Sequence, residues 1–253
     1  MIKEELKKYS YIPREMFDDL FLTVKRGTPN YLVTLLNNKT KRINFFKNIN
    51  ILFKKASEVT GLSPIDIFTR TDFNSNDISR SRIEAAFAEL RTIVFLDNMN
   101  FSNITPLKAK ENQKCTDFTA IKDCHKYAIE VSCIISKELK KELNTNEITL
   151  EPLTYLDDLL QSYVSKAQDK KAQIDDAAKE MQCDKKILVM VVNNINILGF
   201  LTFDGHHNGD YKILEKISSE LKWGCGYYFA IVTGLVSIIG GNEYDGDVIY
   251  PLL

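Results

Sequence analysis

From Tyr127 to Cys133 the chain alternates along a strand: Tyr127, Ile129, Val131 and Cys133 are interleaved with Ala128, Glu130 and Ser132. Strand side chains point to opposite faces in turn, so the apolar set shares one face and Glu130 and Ser132 share the other. Upstream, Ile83, Phe87, Leu90, Val94 and Phe95 or Leu96 recur close to a 3.6-residue period and predict a helix over 82–99. Between them, DFTAI reads as a second strand, and the polar residues around Lys122, Asp123 and Cys124 predict a hairpin turn. Downstream, a long helix is expected from about Tyr155 to Met181, followed by KKILVMVV, a β-branched run suited to a strand covered on both faces. LGFLTF follows as a further strand, GDYKILEKISSELK as a helix, and YYFAIVTGLVSII as a buried strand and its continuation.

The first part of the chain reads as helical. Apolar spacing predicts helices over 13–25 and 43–60, and GLSPIDIF places Ser63 as an N-cap with Pro64 at the first helical position. The Asn- and Ser-rich stretch TDFNSNDISRS is the best internal boundary, with Ser79 or Ser81 capping the next helix. The expected organisation is therefore a helical N-terminal extension over 1–78 and an α/β core over 79–253, a mixed β-sheet flanked by helices.

Three carboxylates stand out in this pattern. The hairpin would bring Asp117, at the head of one strand, beside Glu130 on the next, and Glu89 on the preceding helix could supply a third. Acidic groups gathered on a sheet are costly unless a cation neutralises them, and hard oxygen ligands suit Mg²⁺ or Mn²⁺. For each an ordinary structural role stands beside the functional one. Glu89 can pair with a surface lysine and Asp117 can be a turn aspartate; Glu130, flanked by apolar residues, reads poorly as a surface group. Glu84 lies five residues from Glu89, about 140° round the helix, and cannot point at the same site. Lys166, Lys170 and Gln173, at spacings of four and three, share one face of the long helix, either solvated or turned to the site.

The order of a helix glutamate in AFAEL, an aspartate at a strand start in TDF, and a glutamate in IEVS on the next strand resembles the PD-(D/E)XK nuclease superfamily, the restriction-endonuclease-like fold. The helix carrying KKAQI, followed by the buried strand KILVMVV, extends the resemblance, which covers roughly Ser79 to the C-terminus. It implies that Asp117 and Glu130, with the Val131 carbonyl, hold Mg²⁺ or Mn²⁺, with Glu89 as a further ligand. It also implies that Gln173 and a helix lysine contribute to a site for phosphodiester hydrolysis. Where the family has lysine two residues after the glutamate, this chain has Ser132. A serine hydroxyl carries no positive charge, so either Lys170, or after it Lys166, reaches the vacated place, or the site does not turn over.

Composition narrows the alternatives. A hydrophobic fraction of 44% with 26% charged residues is that of an ordinary globular chain. The five cysteines form no C-x-x-C pair, and with three histidines there is no zinc spacing. His206 and His207 sit in the turn-rich DGHHNGD, and Cys115 has no histidine at a motif spacing that would make it a nucleophile. No signal-peptide pattern opens the chain, and the longest apolar run falls short of the roughly 20 residues a membrane span requires. A cytoplasmic protein without a membrane partner is expected.

Charge is uneven although the net is −1: residues 1–55 carry twelve Lys/Arg against five Asp/Glu, a net of +7 that leaves −8 for the remainder. Interleaved Tyr31, Phe45, Phe46 and Phe53 allow two readings, phosphate contact with base stacking or a helical extension whose aromatics pack on the core. The expected function is a metal-dependent nuclease with DNA as substrate, acting alone or as a homodimer. The alternative is a catalytically inactive module on the same fold that binds nucleic acid or a protein.

Overall fold

The alternation at Tyr127–Cys133 builds the centre of a sheet. A computed structural model describes residues 2–16, 36–71, 80–107, 115–133, 154–192, 226–233 and 248–251. Within them helices α1 (Ile2–Leu6), α2 (Lys39–Thr60), α3 (Pro64–Phe68) and α4 (Arg80–Asn98) precede strands β1 (Ser102–Pro106), β2 (Phe118–Lys122) and β3 (His125–Cys133). Helix α5 (Thr154–Glu180) and strands β4 (Lys185–Val192), β5 (Tyr227–Thr233) and β6 (Val248–Pro251) follow. The six strands form one mixed sheet in sequence order, β1 to β6.

β1, β2 and β3 make an antiparallel meander. β4 runs parallel to β3, and β5 parallel to β4, while β6 is antiparallel to β5. The β2–β3 turn falls where the sequence places it: Asp123 and Cys124 both adopt positive φ, 49° and 62°, the handedness that lets a two-residue turn follow the strand twist. The parallel β3–β4 pair needs a crossover, and α5 lies in that connection.

β3 sorts its side chains as the pattern requires. Tyr127, Ile129 and Val131 join Phe87, Leu90 and Ile93 of α4 and Ile187, Val189 and Val191 of β4 in the main core. On the other face Ala128 packs with Ile174 and Ala178 of α5. Glu130 and Ser132 are on that second face and are buried.

Helix α2 belongs to the main core as well. Phe45, Phe46, Ile49, Leu52 and Phe53 are buried there, and Phe45 meets Phe87 edge to face with ring centroids 5.9 Å apart. This decides between the two readings of the basic segment for these rings: Phe45, Phe46 and Phe53 pack inside and cannot stack on bases, because the apolar face of α2 is spent on α4. Tyr31 lies outside the described residues. Arg42 of the same segment is buried too, its Nε donating to Glu5 at 2.6 Å and its Nη1 to the Leu36 carbonyl at 2.5 Å. The apolar core is continuous across the 1–78 and 79–253 regions, from Ile12 to Val191.

The helix ends follow local rules. Ser63 accepts from the Asp66 N–H at 3.2 Å with Pro64 behind it, as expected. Gly61 closes α2 at φ 69°. α4 and α5 end in the same two-bond motif with a non-glycine residue in the left-handed position. Phe101 N bonds Leu96 O at 2.9 Å around Asn100, and Cys183 N bonds Ala178 O at 2.8 Å around Gln182.

The helix expected over 13–25 is described only to residue 16, while Ser79, LGFLTF, the helix of GDYKILEKISSELK and His206–His207 lie outside the described residues. Strand β1 occupies what the sequence pattern left as a plain link. Only two of its five residues, Ile104 and Pro106, are buried, too few to register as alternation.

Candidate functional site

The β2–β3 register sets the geometry. Phe118 pairs with Ile129, so the next step outward puts Asp117 opposite Glu130. Asp117 is held on three sides. Its Oδ2 accepts from the Val131 N–H at 2.6 Å, its carbonyl accepts from Leu107 N at 2.8 Å, and β2 begins at the next residue. A short acidic side chain just before a strand can turn back onto the neighbouring backbone, which helps to fix the carboxylate.

Glu130 is fully buried on the α5 face, at 0% exposure, and Ser132 follows on the same face at 5%. A buried carboxylate needs a counter-charge, and α5 supplies it. Lys170 Nζ donates to Glu130 Oε1 at 2.5 Å. Its amine also lies 3.4 Å from Gln173 Oε1, and Gln173 Nε2 donates to the Cys115 carbonyl at 3.1 Å. One turn of α5 thereby ties the segment before β2, which carries Asp117, to Glu130 on β3. The spacing of Lys170 and Gln173 is the helical i, i+3 that lets two side chains meet. Lys166, one turn earlier, is exposed.

Glu89 is buried on α4, the helix that packs on the opposite, apolar face of β3. Among the described residues no three His, Cys, Asp or Glu side chains converge in a metal-ligating group, so Glu89 is not gathered with Asp117 and Glu130. The oxygens of Asp117 and Glu130 are hard donors of the type that Mg²⁺ and Mn²⁺ take, and such ions are commonly held by one or two carboxylates with water completing the shell. The donor set therefore fits a single hard divalent cation.

A second cluster adjoins this one, and the sequence pattern did not reveal it. Asp175 Oδ2 takes a hydrogen bond from Lys171 at 2.7 Å, and its Oδ1 is 2.8 Å from Lys186 Nζ. The Tyr227 hydroxyl donates to the same Oδ1 and itself accepts from Lys171 at 3.0 Å and Lys186 at 3.1 Å. Burial alone would push the Asp175 carboxyl up. The hydrogen bonds from Lys171, Lys186 and Tyr227 and the Lys186 charge outweigh it and bring the group down to about 2. The Asp175 hydrogen bond is in turn the largest cause holding the Lys171 amine above its usual range. Lys171 and Asp175 are four apart on α5, a spacing legible in sequence; Tyr227 is 52 residues further on and gives no local signal.

Among the described residues, Cys115, Cys124, Cys133 and Cys183 form no disulfide. Among the described residues no helix is long and apolar enough to cross a membrane. Compared with known proteins, the chain matches no family model, no curated protein and no solved structure.

Proposed function

We propose that the chain is a metal-dependent phosphodiesterase, a nuclease with DNA as its substrate, built on a restriction-endonuclease-like core. The observation that carries this reading is the reach of Lys170 from α5 to Glu130, with Asp117 opposite on the hairpin. An acidic pair on a strand pair, with a lysine amine beside it, is the constellation the resemblance calls for. Ser132 leaves the strand position without a charge, and α5 brings the charge instead. The succession of α4, the hairpin β2–β3, α5 and β4 also follows the order of elements on which the resemblance rests.

Each residue then has a task. Asp117, fixed by the Val131 N–H, presents a carboxylate of set orientation, and Glu130 presents a second from the buried face. This pair would hold a divalent cation, which when bound would supply Lewis-acid chemistry to a phosphoryl oxygen and a water. Lys170 would supply a positive charge beside the pair, where it could offset negative charge developing on a phosphoryl group, and Gln173 limits where the amine can go. Lys170 is partly exposed, at 29%, so the amine can be approached from solvent while its partner carboxylate stays inside.

The test is cleavage of single- and double-stranded DNA and RNA in Mg²⁺ or Mn²⁺, with Asp117→Ala as control. Cleavage of DNA by the native chain that is lost in Asp117→Ala supports the reading, as does a rise in Tm with metal that Asp117→Ala abolishes. A chain that cleaves nothing and whose Tm ignores millimolar metal sinks it. Ser132 favours a second reading, a catalytically inactive module on the same frame that binds nucleic acid or protein. Metal binding with nucleic-acid affinity but no cleavage is the outcome that selects it.

A further inference from the structure

We propose that Lys170 is a built-in competitor for the cation, an internal plug that occupies Glu130 until a divalent ion displaces it. The inference rests on reading Asp117 and Glu130 as a metal pair and adds the order of events at that pair. Lys170 Nζ stands 2.5 Å from Glu130 Oε1, a separation that leaves no room for an ion between them. An ammonium and a divalent cation also repel strongly at such range, most of all beside a carboxylate with no exposed surface. The two therefore compete for Glu130 Oε1.

The structure offers the displaced amine a second station. Gln173 Oε1 already lies 3.4 Å from Lys170 Nζ, and the Gln173 amide is anchored through its nitrogen on the Cys115 carbonyl at 3.1 Å. A small swing of the lysine stem brings the amine fully onto that oxygen and off Glu130. In this second place it remains beside the acidic pair, where the proposed chemistry needs a positive charge. The plug and the catalytic amine are one group in two positions. The native chain thus holds Glu130 neutralised in the absence of metal, and part of the binding free energy of the ion goes into evicting the lysine.

The plug gives metal affinity a definite sign. Removing the Lys170 charge leaves Glu130 Oε1 to the ion and should tighten binding. Mn²⁺ affinity is measured by calorimetry, and by loss of the free-ion electron paramagnetic resonance signal, for the full chain, Lys170→Met, Lys170→Gln and Lys170→Arg. Under the proposal Lys170→Met and Lys170→Gln bind Mn²⁺ roughly tenfold tighter or more, and Lys170→Arg, which keeps the charge, stays near the native value. Adding Asp117→Ala to Lys170→Met removes the gain.

Equal or weaker binding in the two neutral variants, with the native chain binding metal, overturns the plug while leaving the metal pair standing. Absence of binding in all four chains overturns both. Loss of the Glu130 counter-charge can unfold a variant in chelator. Mn²⁺ then refolds it if the ion takes the place of the amine, and failure to refold in saturating Mn²⁺ overturns the proposal.

Discussion

Lys170 and Lys171 are neighbours on one helix and serve two carboxylates in opposite ways. Lys171 joins Lys186 and Tyr227 around Asp175, so that both oxygens of this half-buried group receive hydrogen bonds. Lys170 reaches a fully buried glutamate across the sheet from an aspartate that the backbone holds. The first arrangement saturates its carboxylate from three side chains and leaves nothing for a ligand to gain. The second sets one amine against a pair of acids. Adjacent positions on a helix point about 100° apart, which is enough to send one lysine to a structural clamp and the other to a candidate reaction centre.

The contrast is broken most strongly by activity. Lys170→Ala should lower metal-dependent DNA cleavage by about 10²–10⁴-fold, whereas Lys171→Ala should leave single-turnover rates within about threefold. Ser132→Lys sharpens the point. The side chain at 132 shares the face of Glu130, one strand period away, and a lysine there should restore cleavage to Lys170→Ala. A folded, metal-binding Ser132→Lys/Lys170→Ala chain that stays inert would deny the face this role.

Stability separates the clusters next. Asp175 has a folded-state pKa lowered from 3.8 to about 2, so its contribution is present above pH 3.8 and is lost as the pH falls toward 2. The shift corresponds to about 1–2 kcal/mol after allowance for partial exposure. Urea melts of the native chain and Asp175→Asn should therefore differ at pH 7 and converge near pH 2, and a constant gap between them would deny Asp175 its clamp.

These experiments weigh what the sequence could and could not convey. β3 was legible because its alternation is local, and the hairpin because Asp123 and Cys124 tolerate or accept the required turn. The same register placed Asp117 opposite Glu130. Periodicity puts Lys170 on one face of its helix but does not say what that face meets, because a period gives a helix a face and not a neighbour. Asp175, Lys186 and Tyr227 come from a helix and two strands, and no spacing joins them. The aromatics of 1–55 were ambiguous for a related reason: Phe45 and Phe53 become core only once α4 is packed on α2. Glu89 illustrates the converse, a residue whose place in a motif did not bring it into a cluster with the other two acids.

The smallest expected effect lies at the end of the helix that bears both lysines. Gln182 holds a left-handed conformation, φ 54°, that glycine adopts without steric cost. Gln182→Gly should raise stability by about 0.5–1 kcal/mol, read as an increase in Tm of a few degrees, with no change in cleavage. A decrease would mean that the glutamine side chain contributes more than its backbone costs.

That helix end is also fastened to the hairpin. Asp184 N bonds the Lys126 carbonyl at 2.8 Å, Lys126 N bonds Asp184 Oδ2 at 3.0 Å, and Lys126 Nζ caps the Met181 carbonyl at 2.7 Å. α5 is thus fastened at its C-terminus as well as at the Asp175 clamp. Lys170 stands eleven residues before Met181, about 16 Å along the axis at 1.5 Å per residue. Pivoting α5 by about 5° around the C-terminal fastening carries the base of Lys170 roughly 1.4 Å, the scale on which an amine gains or loses a hydrogen bond. Substitutions at Lys126 or Asp184, remote from both acids, would thus be felt at Glu130 as a change of reach.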